Sequence, residues 1–97
     1  MQFTWDDRKE KENVKKHTIK FTEAVEIFND PLHISLLDTR FNYYEERWIT
    51  IGAIKKGGII TVGHLYIMQH DGEDIIRIIT ARKATKKEIR DYEEIRR

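Results

Sequence analysis

A chain of 97 residues supplies one hydrophobic core and is too short for two domains of ordinary size. It has no cysteine, which excludes a disulfide framework, a thiol nucleophile and a thiolate metal centre and leans toward a reducing, cytoplasmic setting; no apolar run nears the roughly 18 residues of a membrane helix, and the first residues lack the pattern of a signal peptide. The net charge of +1 hides basic ends and an acidic middle: residues 1–20 hold six Lys/Arg against four Asp/Glu, residues 82–97 seven against four, and residues 21–81 five against nine.

Phe3 and Trp5 read as a short N-terminal strand or an apolar plug. Asp6 or Asp7 then caps a helix running to about His17, with Asp7 and Glu10 at capping-box spacing. Val14 is its only aliphatic residue, so this helix is mostly solvated, and Asn13, Lys16, His17 and Lys20 share one face at i, i+3, i+4 and i+7. Thr22 opens a second helix whose Ala24, Val25, Ile27 and Phe28 pack inward, and Asn29-Asp30-Pro31 stops it. Four strands follow: residues 33–38, 47–55, 59–68 and 74–81. Lys56-Gly57-Gly58 and Gln69-His70-Asp71-Gly72 are tight links, so consecutive strands pair as an antiparallel meander. Thr85 and Glu88 form a capping box for a last helix, whose Ile89, Tyr92 and Ile95 dock on the sheet. The expected architecture is a single α+β domain over residues 1–97. It has a four-stranded, antiparallel, twisted sheet, with two N-terminal helices and a C-terminal helix covering one face.

Within the last strand Arg77 stands among Ile75, Ile76, Ile78 and Ile79, and the strand leaves through Arg82 and Lys83. A guanidinium in a strand that is apolar on both faces must be paired or kept for an anionic ligand, because an unpaired buried charge costs several kcal/mol. Glu45 and Glu46 are the candidate partners. If the two basic ends of the chain meet on one face, they make a local anion-attracting surface.

Five pieces in order resemble the BrnT toxins of type II toxin–antitoxin systems. They are Phe3-x-Trp5-Asp6, Asn13-x-x-Lys16-His17-x-x-x-Phe21-x-Glu23-Ala24, Phe28-x-Asp30-Pro31, Glu45-Glu46-Arg47-x-x-x-Ile51-Gly52, and Arg77-Ile78-Ile79-Thr80-Ala81-Arg82-x-Ala84-x-x-x-Glu88. The resemblance implies a fold similar to the RelE ribonucleases, RNA cleavage that arrests growth, and neutralisation by a BrnA-like antitoxin with a ribbon-helix-helix DNA-binding part. Three positions depart from the family pattern. Thr18 follows the Lys-His pair where glycine is usual, Thr80 stands where serine is usual, and Thr39-Arg40-Phe41-Asn42-Tyr43-Tyr44 is aromatic where relatives are polar.

A ribonuclease that uses no metal needs a base for the 2′-hydroxyl proton, cations for the phosphorane-like transition state and an acid for the leaving oxygen. The four histidines show no ligand spacing and the acidic residues no Mg²⁺-type constellation, so metal-free, cofactor-free cleavage is the consistent version. Arg77 is the candidate for stabilising transition-state charge, against a core ion pair. Arg82 and Lys83 clamp phosphates or form a solvated helix entrance. Glu45 and Arg47, two apart, project to one side, and Glu45 serves either as base or as the carboxylate that orients Arg47. His17 is an acid or base, or a helix-terminal imidazole that favours the dipole. Lys16 and Lys20 add phosphate contacts, Tyr43 and Tyr44 offer faces on which bases stack, and Trp48 and Tyr92 read as core. Two rivals to the catalytic reading stand: a protein-interaction module that assembles with a DNA-binding partner, and an RNA-binding domain without cleavage.

Overall fold

The computed structural model describes residues 1–40, 45–68 and 71–94. Asp6 caps the first helix, α1 (Asp7–His17), accepting the Arg8 and Lys9 N–H groups at 2.8 and 3.3 Å. Glu10 does not close a capping box with Asp7; its carboxylate accepts the Phe21 N–H at 2.8 Å and ties α1 to the next element. That element is not the second full helix expected. One α turn, α2 (Phe21–Ala24), runs into a 3-10 segment, Val25–Asn29. β-branched Val25 and Ile27 favour the α-helix less, and Pro31 drives Asp30 into extended backbone, so the segment tightens and stops.

Among the described residues the sheet has five strands and is mixed, which corrects the expectation of four antiparallel strands. β1 (Gln2–Thr4), β2 (Ile34–Leu37), β3 (Trp48–Ala53), β4 (Ile59–Met68) and β5 (Asp74–Lys83) lie in the order β1-β5-β4-β3-β2. β2 to β5 form the antiparallel meander. β1 adds in parallel to the edge of β5 that the meander leaves bare, with Phe3 opposite Ile76 and Thr4 opposite Arg77. The chain closes with α3 (Lys86–Glu94), and its capping box is as expected: Thr85 N–H donates to Glu88 at 2.9 Å, and Glu88 N–H to the Thr85 hydroxyl at 3.2 Å.

The helices lie on both faces of the sheet, not on one. α1, α2 and the 3-10 segment cover the face from which Ile60, Val62, Ile76, Ile78 and Ala81 project, and Phe21, Ala24 and Ile27 fill the main core against them. On the other face Tyr92 of α3 packs with Ile34 and Ile51. Asp30 anchors that contact: its carboxylate accepts the Tyr92 hydroxyl at 2.6 Å, the Ala53 N–H at 2.9 Å and the Leu32 N–H at 2.9 Å. Among the described residues this second face stays open beyond α3, towards β5, and the strand pairing places Thr61, Gly63, Thr80 and Arg82 there.

Candidate nucleic-acid interface

A β-bulge decides which side chains share the open face. Gly63 pairs with Thr80 and His64 with Ile78, so Ile79 is an extra residue on β5. Strict alternation would put Arg77 and Arg82, five apart, on opposite faces; the bulge resets the parity and puts both on the open one. Gly63 permits the close approach this requires, since a Cβ there would lie 2.8 Å from the Thr80 hydroxyl.

Three adjoining depressions make one surface around Arg82 and Thr80. The largest, about 620 Å³, is lined by Lys16, His17, Thr18, Arg40, Arg82, Lys83 and Thr85. A second, about 100 Å³, holds Arg47, Trp48, Thr61 and Thr80 and shares Arg40 and Arg82 with the first. A third, about 240 Å³, runs along α1 past Lys9, Glu12 and Asn13, shares Lys16 and His17 with the first, and shares Ile79 and Thr80 with the second. The basic ends of the chain therefore do meet: the last turn of α1 forms one wall and the end of β5 the other.

Carboxylates orient the arginines of this surface. Arg82 is held by both oxygens of Glu88, at 2.7 and 3.0 Å, and the Thr61 hydroxyl donates to the same carboxylate at 3.0 Å. Burial raises the Glu88 pKa, but Arg82, the Thr85 N–H and Thr61 outweigh it and bring the group to about 2. At neutral pH Glu88 is thus an ionised clamp and too weak a base to take a hydroxyl proton. Asp38 grips Arg40 through Nε and a terminal nitrogen, both at 3.0 Å. Lys16 and Lys83 form no ion pair among the described residues and present free ammonium groups.

The expected residues separate into those the fold gathers and those it does not. His17, Lys16, Arg82, Lys83 and Arg47 line the surface, with His17 half-buried in the last turn of α1. Thr18 follows it in the left-handed region at φ 58°, a strained position for a β-branched residue. Glu45 is exposed, contacts Arg47 at 3.4 Å and lines none of the three depressions. Arg77 is half-buried on the open face, opposite Leu65, and has no ion pair among the described residues, so the core pair with Glu45 or Glu46 is not formed. It too lies outside the three depressions. Lys20 is exposed at the start of α2, away from their walls. Tyr43 and Tyr44 lie outside the described residues. Tyr92 is core, as expected, and Trp48 is half-buried with its ring edge-on to Tyr66 at 5.4 Å. Thr80 and Glu88 join the site without having been expected there, and Arg40, expected only as a basic neighbour of the loop aromatics, lines it as well. The spacing of Glu88 to Thr85 signalled only the capping box.

The family model described as ribonuclease toxin, BrnT, of type II toxin–antitoxin system matches residues 5–88. Among solved structures, the crystal structure of the Brucella abortus ribonuclease toxin, BrnT, superposes with a TM-score of 0.63 at 24% identity, over 89% of this chain and 99% of that one. At that identity the likeness is one of fold. No match was found among curated proteins.

Proposed function

Because this chain belongs to the BrnT family of ribonuclease toxins of type II toxin–antitoxin systems, we propose that it is a RelE-like endoribonuclease that cuts RNA without a metal and so arrests translation and growth. The observation that carries this reading is the meeting of the His17 imidazole, two free lysines and carboxylate-held arginines on one open surface. RNA lies across the end of β5. His17 accepts the 2′-hydroxyl proton, the 2′-oxygen attacks phosphorus, and the P–O5′ bond breaks to leave a 2′,3′-cyclic phosphate and a 5′-hydroxyl protonated by water. Arg82, with its terminal nitrogens fixed by Glu88, is preorganised toward the charge that builds on the phosphoryl oxygens. Lys16, Lys83 and Arg47 hold neighbouring phosphates, Glu45 orients Arg47, and Arg77 touches the strand outside the cleft.

The partner is a BrnA-like antitoxin that covers this surface with acidic side chains and, through a ribbon-helix-helix part, carries the complex to operator DNA. The setting is cytoplasmic; among the described residues no helix is long and apolar enough to cross a membrane. Exposed Leu36, Leu37, Tyr66, Ile67 and Met68 favour a second reading, a scaffold that assembles with a partner and does not cleave.

Incubating purified protein with end-labelled RNA in EDTA separates the two. Cleavage should persist in the chelator and fall about 100-fold in His17→Ala and in Arg82→Ala, but less than about threefold in Glu45→Ala and Arg77→Ala. Full activity in His17→Ala would remove the cleft from the chemistry. Loss in EDTA would remove metal independence, and no cleavage by the unaltered protein would leave the scaffold.

A further inference from the structure

β1 ends at Thr4, opposite Arg77, so among the described residues no strand lies along the outer edge of β5 beyond that point. At Ala81 the side chain of Asn13 takes the strand's place. Its Oδ1 accepts the Ala81 N–H at 3.0 Å and its Nδ2 donates to the Ala81 carbonyl at 2.8 Å, the double exchange that a neighbouring strand would make. The remaining Nδ2 hydrogen goes to the Ile19 carbonyl at 3.0 Å, just past the left-handed Thr18. Asn13 is 6% exposed, and its carboxamide is fully engaged on backbone.

One side chain thus ties α1, the link that follows it and β5. His17 lies one helical turn beyond Asn13, and Thr80 and Arg82 flank Ala81. A leucine would fill the same volume and still pack α1 on the sheet, but it would leave two backbone groups of β5 without partners and nothing to fix the register of helix against strand. We infer that Asn13 is a positioning residue for RNA cleavage: without touching RNA, it holds the His17 wall of the cleft at its working distance from the Arg82 wall. The inference rests on the cleavage reading above. A displacement of about 1 Å between reacting groups can cost about 100-fold in rate.

The experiment is single-turnover cleavage of end-labelled RNA by Asn13→Leu, His17→Ala and the double variant, with RNA affinity measured alongside and rates expressed per folded molecule from circular dichroism. Asn13→Leu should lower the cleavage step about 10- to 100-fold while RNA affinity changes less than about threefold, because the lysines that hold phosphate remain. In the His17→Ala background the same change should cost less than about twofold, since the imidazole it positions is gone. A folded Asn13→Leu that cleaves within about twofold of the unaltered protein, or equal losses in both backgrounds, would overturn the inference. Asn13→Ser, which keeps one hydroxyl and admits water, runs the same comparison if the leucine variant does not fold. Should neither fold, Asn13 is a strut of the core and the inference is wrong. Activity surviving in His17→Ala alone would strike the cleavage reading itself, whereas an inactive His17→Ala beside an unaffected Asn13→Leu strikes only the role of Asn13.

Discussion

Glu88 and His64 shift in the same direction for opposite reasons. Burial alone would raise the Glu88 carboxyl, but Arg82, Thr85 and Thr61 bring it from 4.5 to about 2. Burial lowers the His64 imidazole from 6.5 to about 4, against a small opposing backbone hydrogen bond, and its Nε2 meets the Thr50 hydroxyl at 2.7 Å. Both folded values lie below the unfolded ones, so each group contributes stability that is present above its unfolded value and lost as pH falls through its folded one. For His64 that window is 6.5 to 4, and for Glu88 it is 4.5 to 2. The Glu88 clamp sits at an open rim, where solvent screening reduces its contribution, so the loss across its window is about 1–2 kcal/mol. Unfolding free energies from urea titrations at pH 5 to 2 should fall in the unaltered protein and fall less by this amount in Glu88→Gln. An identical slope in the two would mean that the clamp contributes no stability.

At the scale of the element, the sequence offered β1 as a short N-terminal strand or an apolar plug, and what it leaves least visible is where that strand pairs. Three residues carry no period, and the strand they join begins some seventy positions later, so nothing local announces a parallel pairing. Phe3 and Trp5 did announce an apolar anchor. Phe3 packs on Phe28 with rings tilted at 45° and centroids 5.3 Å apart, and Trp5 meets the buried Phe21 edge-on at 6.0 Å. Trp5→Ala should therefore destabilise the domain by about 2–3 kcal/mol in urea unfolding, below the range of about 3–5 kcal/mol for a fully buried large aromatic because Trp5 is only half-buried. A change under about 0.5 kcal/mol would show that this N-terminal segment is decoration. The meander and the capping box were legible because turn glycines and a Thr–Glu pair at fixed spacing are local signals. The bulge at Ile79 was not, because it depends on how two strands mate. Its effect reached the site: Arg77, conspicuous among isoleucines, lies outside the cleft, and Arg82, which looked like a strand exit, lies at its centre.

Across the whole molecule, a net charge of +1 would lead one to expect feeble, salt-insensitive RNA binding, yet the fold concentrates its cations. Lys16, Arg40, Arg82 and Lys83 line one cleft. Asp38 and Glu88 partly neutralise two of the four, so between two and four effective phosphate contacts remain. For single-stranded RNA that gives a slope of log affinity on log salt of about −1.5 to −3, or roughly 10- to 50-fold weaker binding between about 50 and 200 mM salt. Fluorescence anisotropy with the His17→Ala protein, which should bind without cutting, measures this. Lys20 supplies the internal control. It was expected to contact RNA from its place on the first helix face, but it stands exposed at the start of α2, away from the cleft. Lys16→Ala and Lys83→Ala should each flatten the slope by about 0.7, and Lys20→Ala should leave it unchanged. If Lys20→Ala flattened it as much as the other two, binding would follow the diffuse charge of the N-terminal region and not the surface built by α1 and β5.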